Sequence, residues 1–247
     1  MIEIKTAAEI GRMREGGLLL RRVMDDVVSK IAPGVITSEF DATARKLIVD
    51  GLAKPAFLGY RGFPSSLCVS INDEVVHGIP GKRELVGGDI VSIDCGLIYQ
   101  GFYSDMAVTV AVGRISEEAN RLMKVTREAL DIGIAEMTAG NRIGSVSAAI
   151  QHHAESHGYS VVREYTGHGI GREMHESPQA PNFGVAGAGI RLKSGMVIAL
   201  EPMINAGAWK TRTLKDGWTV VTADGSLSAH YEHTVAVTED GPFVLTG

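Results

Sequence analysis

A chain of 247 residues with a hydrophobic fraction of 45% can bury a sizeable core, as one large domain or two small ones. A net charge of −5 and a pI near 5.9 argue against a basic nucleic-acid footprint, and no block of like charge suggests an interaction tail. Two cysteines, Cys68 and Cys95, exclude a disulfide scaffold or a Cys-rich zinc cluster; with no apolar signal core at the N-terminus and no run near the ~18 residues of a membrane span, a cytoplasmic soluble protein is expected.

Thr6 to Ile31 reads as a long helix, with Thr6 and Glu9 at capping-box spacing and Ile10, Met13, Gly17, Leu20, Met24 and Val27 forming an apolar stripe; Pro33-Gly34 stops it. Ser38 to Leu52 reads as a shorter helix. Lys54 to Pro64 is rich in Gly and aromatic residues and reads as a loop or hairpin, followed by a strand from Ser66 to Ile71 and a turn at Asn72-Asp73. Val75-Val76-His77-Gly78-Ile79-Pro80 leads into G-D-I-V-S-I-D-C-G from Gly88 and S-D-M-A-V-T-V-A-V from Ser104, two strand-like runs. The order then repeats. A long helix from Ser116 to Met137 stops at Ala139-Gly140, and a shorter one spans Ser145 to His157. A strand at Tyr159 to Val162 precedes the loop T-G-H-G-I-G-R-E-M-H-E-S-P, and G-M-V-I-A-L-E-P-M and Y-E-H-T-V-A-V-T close the chain. Asn205 to Gly225 reads as an additional hairpin carrying Trp209 and Trp218.

The interval from Gly88 to Gly195 equals that from Asp94 to Glu201, which points to internal duplication, roughly 6–112 and 116–240. Each half supplies two carboxylates on strand-like runs: Asp94 and Asp105, then Glu201 and Glu232. Neither half closes a site alone, so one catalytic domain over 1–247 is expected, with its site at the seam and helices covering one face of an antiparallel sheet, an α+β fold. Alternation puts Asp94 with Ser92 and Ile90, Asp105 with Ala107 and Thr109, Glu201 with Ala199 and Val197, and Glu232 with Thr234 and Ala236. These neighbours are mostly small or hydroxylic, so a concavity is expected there. Two like charges ~4 Å apart repel by about 4 kcal/mol at an effective dielectric near 20. The four acids must take up protons or gather cations, and an oxygen-rich cluster suits a pair of divalent metals.

His168, between Gly167 and Gly169, is the strongest candidate for a metal-ligating imidazole. His77 and His175 stand in matched settings, His77-Gly-Ile-Pro80 and His175-Glu-Ser-Pro178, and are expected to face one another across the seam as donors to an oxyanion or leaving group. His152, His153 and His157 are placed on a helix surface. His230 and His233 flank Glu232 as H-Y-E-H, which is neither H-E-x-x-H nor H-x-x-E-H; both are read as pointing away from Glu232. The absence of G-x-G-x-x-G, of a P-loop and of G-x-S-x-G leaves a metal-activated water hydrolysing an amide or ester.

N-D-E-V-V-H-G-I-P, S-I-D-C-G…Y-S-D-M-A, T-G-H-G-I-G, A-L-E-P-M and Y-E-H-T-V-A-V-T together resemble type I methionine aminopeptidase over nearly the whole chain. The resemblance implies the "pita-bread" fold, a pseudo-twofold α+β domain. It implies Asp94, Asp105, His168, Glu201 and Glu232 as ligands of two divalent ions (cobalt, manganese, iron or zinc), with Asp105 and Glu232 bridging. It makes Glu201 the residue that shuttles the attacking water's proton, and His77 and His175 the contacts to the substrate amide. Tyr60, Phe63, Cys68 and Trp218 match the pocket for the methionine side chain. Phe57 and Met174 depart from a common pattern there. The short bacterial form is implied, a monomer trimming nascent chains near the ribosome, with no nucleic-acid sequence recognition and no membrane contact. A hydrolase of X-Pro bonds and a metal-free binding scaffold on the same fold are the alternatives.

Overall fold

The computed structural model describes residues 2–247. Among the described residues four α-helices are present: α1 (Ala7–Val28), α2 (Thr37–Asp50), α3 (Glu117–Ala135) and α4 (Ile143–Ser156). The Thr6 side chain accepts from the Glu9 N–H while the Glu9 carboxylate accepts from the Thr6 N–H, a reciprocal cap that fixes where α1 begins. The helix ends at Val28, short of Ile31, and the turn that follows reaches Gly34 at φ 88°, a left-handed position suited to glycine. The apolar stripe of α1 lies inward, with Met13, Leu20, Met24 and Val27 buried. At Gly17 the helix approaches the C-terminal segment so closely that a Cβ would sit 2.1 Å from the Leu245 carbonyl oxygen.

The main sheet is antiparallel and nine-stranded. Its path runs Lys54–Pro55, Ile90–Tyr99, Phe102–Ala111, Glu232–Thr238, Val197–Leu200, Gly167–Gly169, Glu176–Ala180. Leu67–Ile71 adds to Ile90–Tyr99, and Gly241–Val244 to Glu232–Thr238. The two strands of the first half therefore lie beside the two strands of the second, and the halves meet where Glu232 pairs with Ala107 and His233 with Met106. The segment around His168, read from sequence as a loop, is a strand held between Glu176–Ala180 and Val197–Leu200. Glycine permits it: a Cβ at Gly169 would lie 2.4 Å from the Ser177 carbonyl oxygen. The hairpin Thr211–Thr213 and Val220–Thr222 forms as expected and pairs with Glu74–Val76.

Helices of each half cover one face of the sheet. Leu20, Met24, Phe40 and Ile48 pack on Val91, Ile93 and Leu97, and Leu122, Val125, Val146 and Ile150 pack around Ile198, Leu200 and Val235. This is the pita-bread arrangement, a curled antiparallel sheet with four helices. The small residues expected to leave a concavity do so only in part. Val197, Ala199 and Ala236 are filled in by Met13, Phe102, Ile170 and Leu245, so the open space is confined to the end of the strands where the acids sit.

Candidate active site

One cavity, with about 700 Å³ of empty space including its open mouth, is lined by the four acids, by His77, His168 and His175, and by Tyr60, Phe63, Cys68 and Trp218. Asp94 and Asp105 reach it from adjacent strands, where Asp94 pairs with Ala107 and Asp105 with Gly96. Glu201 stands directly after Val197–Leu200, and Glu232 opens its own strand. Asp105 and Glu232 are buried, while Asp94 and Glu201 are half-buried. Side-chain hydroxyls tie the strands beneath them. The Asp105 N–H donates to Thr234 Oγ1 at 3.0 Å, and that hydroxyl donates to the Asp105 carbonyl at 2.8 Å. Asn182 Nδ2 donates to the Glu201 carbonyl at 3.0 Å.

Donor atoms of Asp105, His168 and Glu232 lie within 4.8 Å of one another, and so do those of Glu201, His230 and Glu232. Asp94 lines the same cavity outside these two tight sets, with its Oδ1 buried and unpartnered; Glu232 Oε1 is likewise unpartnered. Burial, reinforced by the neighbouring acids, pushes the Asp105 and Glu232 carboxyls well above their usual range; burial first, and then Asp94, does the same for Glu201. Burial likewise raises Asp94. Orphaned oxygens in a cluster that resists ionisation are the signature of a place built for cations. His168 fits that set. Its Nδ1 lies 2.9 Å from the Gly169 carbonyl, which can only accept, so Nδ1 carries the proton and the Nε2 lone pair faces Glu201 Oε1 at 3.6 Å. Burial depresses its pKa to about 4, leaving the ring neutral and able to ligate.

The other wall is aromatic and apolar. Phe63 meets Trp218 edge-on at 5.1 Å, and Phe57, Cys68 and Met174 pack beside them with Tyr60. Both cysteines are buried and free, with burial raising their thiol pKa values. His175 stacks on Tyr60, whose hydroxyl is 2.8 Å from His175 Nδ1, and its ring lies 4.2 Å from that of His168. His77 is held edge-on to Tyr165 and Trp218, on a backbone with φ 60°, a conformation uncommon outside glycine and concentrated at functional positions. Burial lowers the pKa of both rings, His77 to about 4.

His230 corrects the sequence reading. It does not point away from Glu232: His230 ends one strand where Glu232 opens another, and its Nε2 is 3.9 Å from both Glu201 Oε2 and Glu232 Oε2. His233 does point away, to Thr246 Oγ1 at 2.8 Å. Of the helix histidines, His152 is exposed, whereas His153 and His157 are half-buried against each other, and His157 lies just beyond the end of α4.

An antiparallel sheet that gathers carboxylates and an imidazole beside an apolar slot defines a metal-dependent hydrolase. The model of metallopeptidase family M24 matches residues 11–239. A methionine aminopeptidase of Clostridium perfringens is 50% identical over 246 residues, covering 100% of this chain and 99% of that protein. The methionine aminopeptidase structure from Rickettsia prowazekii superposes with a TM-score of 0.99 at 44% identity over the full length of both chains. The prolidase of Pyrococcus furiosus shares the fold at a TM-score of 0.80 and 24% identity, but this chain covers only 65% of it. The chain belongs to metallopeptidase family M24 and, within it, to the bacterial type I methionine aminopeptidases.

Proposed function

We propose that this hydrolase releases the N-terminal methionine from peptides whose second residue is small, using two divalent ions held by Asp94, Asp105, His168, Glu201 and Glu232. The observation that carries the reading is the meeting, in one cavity, of that donor set with the thioether-sized aromatic slot of Tyr60, Phe63, Cys68 and Trp218. Divalent ions bound there supply a nucleophile at neutral pH and Lewis-acid polarisation of the scissile carbonyl.

The chain's own groups do the rest. Asp105 and Glu232, each flanked by other donors, would be the residues to bridge the pair. A Glu201 carboxylate oxygen takes the proton of the attacking water and returns it to the leaving amine. In the tautomer in which His175 Nδ1 accepts from the Tyr60 hydroxyl, the Nε2–H of His175 is free to donate into the cavity. His77, also neutral, is the second donor to the developing oxyanion. The aromatic faces take the methionine sulfur, a contact worth about 0.3–1.5 kcal/mol per ring. Crowding at the acid-lined end selects a small second residue.

One catalytic domain of two related halves, 6–112 and 116–240, is the organisation we read, because the donors are divided between the halves. We place the enzyme in the cytoplasm as a monomer, acting on nascent chains near the ribosome. Support for this setting is the family's chemistry and, among the described residues, the absence of any helix long and apolar enough to cross a membrane.

The test is incubation of purified protein with Met-Ala-Ser and Ala-Pro peptides, with and without chelator. Methionine release from metal-loaded protein alone is the expected result. Cleavage of Ala-Pro alone would assign an X-Pro hydrolase, and no cleavage of either would assign a binding scaffold.

A further inference from the structure

We propose that His230 is a sixth protein ligand, placing a second imidazole in the metal centre together with Glu201 and Glu232. The inference rests on the metal reading above and extends it to a residue outside the five ligands already named.

His230 is 1% exposed, and neither of its ring nitrogens has a hydrogen-bond partner. Buried imidazoles are ordinarily satisfied, so a ring with both nitrogens orphaned calls for a missing partner. Its Nε2 lies 3.9 Å from Glu201 Oε2 and 3.9 Å from Glu232 Oε2. That is too long for a hydrogen bond. It is the separation of atoms that share an ion: with ligand bonds of about 2.0–2.2 Å, two donors on one metal stand no more than about 4.4 Å apart.

The ring is also held in place by its surroundings. The His230 N–H donates to Thr109 Oγ1 at 2.9 Å, that hydroxyl donates back to the His230 carbonyl at 2.8 Å, and the residue pairs with Met203 in a three-stranded sheet. Such a backbone anchor pre-positions a donor atom rather than letting it swing to solvent. Glu232 belongs to both donor sets, with His168 in one and His230 in the other. The centre then carries two nitrogens rather than one. Imidazole favours zinc, iron and cobalt over harder ions such as manganese, so the added nitrogen shifts metal preference in that direction.

The experiment compares the full chain with His230→Gln, which keeps a polar side chain of similar reach without an imidazole. Both are stripped with chelator, checked for folding by circular dichroism, and titrated calorimetrically with zinc and with manganese. Zinc affinity is expected to fall about tenfold or more in the variant, with a smaller loss for manganese. X-ray absorption of the zinc-loaded parent gives a second reading that does not depend on the variant folding: two imidazoles per protein are expected. One imidazole per protein, or unchanged zinc affinity in folded His230→Gln, would overturn the proposal while leaving the five-ligand centre intact. A parent that binds no divalent ion would sink the functional reading itself.

Discussion

The hydroxyl of Tyr60 sits 2.8 Å from Nδ1 of His175, while the two rings stack with centroids 5.5 Å apart. The contact fixes the orientation of the imidazole. Removing the hydroxyl frees that orientation without removing the ring. Tyr60→Phe is therefore expected to lower kcat about tenfold with KM little changed, and to leave metal content at the parent value. A steady-state peptide assay with elemental analysis checks it; an unaltered kcat would remove Tyr60 from the mechanism.

In the proposed mechanism, His77→Ala removes a donor to the oxyanion but none of the metal set. A loss of about 10²–10³ in kcat with retained metal is expected. Metal stripped from this variant would show that His77 belongs to the ligand shell instead.

Asp105→Ala and Glu232→Ala each delete a carboxylate that faces several other donors. Loss of an outer partner already costs about 10–100-fold in metal sites, so each of these is expected to lose at least that in activity and to load less metal. Parent-like turnover in either would contradict a bridged pair.

The acids also set a pH signature in chelated protein. Burial raises the folded-state pKa of Asp94 to about 7, and those of Asp105, Glu201 and Glu232 are raised well above their usual values. A raised carboxyl binds more protons folded than unfolded. Its contribution to stability is therefore complete below the unfolded value near 4 and is lost as pH rises through the folded value. The buried histidines have the opposite sign, but between about pH 7 and pH 9 they are neutral in both states and drop out. The chelated protein is expected to lose Tm across that window, and the metal-loaded protein to lose less. Thermal scans at each pH decide it; a chelated Tm that rises with pH would refute the burial of the four acids.

Gly17 tests the fold away from the site. Any Cβ there meets the Leu245 carbonyl backbone at 2.1 Å, which no rotamer change relieves. Gly17→Ala is expected to cost about 1–3 kcal/mol by chemical denaturation, despite alanine's better helix propensity. An unchanged midpoint would mean that the C-terminal segment is free to shift.

Much of this was readable from residue order. Asp94, Asp105, Glu201 and Glu232 stood out because carboxylates are rare on core strands, and the matched intervals tied the halves together. Thr6 and Glu9 marked the start of α1 through a local cap that needs no tertiary partner. What escaped depended on partners distant in sequence. The glycines around His168 look like a loop until Glu176–Ala180 and Val197–Leu200 close on both sides of them. His230 ends one strand and Glu232 opens another in a different sheet, so alternation along a single strand does not tell which way His230 points. The filling of Val197, Ala199 and Ala236 by Met13 and Leu245 could not be read at all, because it joins opposite ends of the chain.

The strand pairing between Glu232 and Ala107 joins an earlier segment to one made much later. A chain still emerging from synthesis carries Asp94, Asp105 and His168 before Glu232 exists to complete the proposed donor set. Competence is thus deferred until Glu232 has been made, and a polypeptide halted before it has one wall of the vessel missing. An enzyme that trims the beginnings of other chains must first have its own later strands in place.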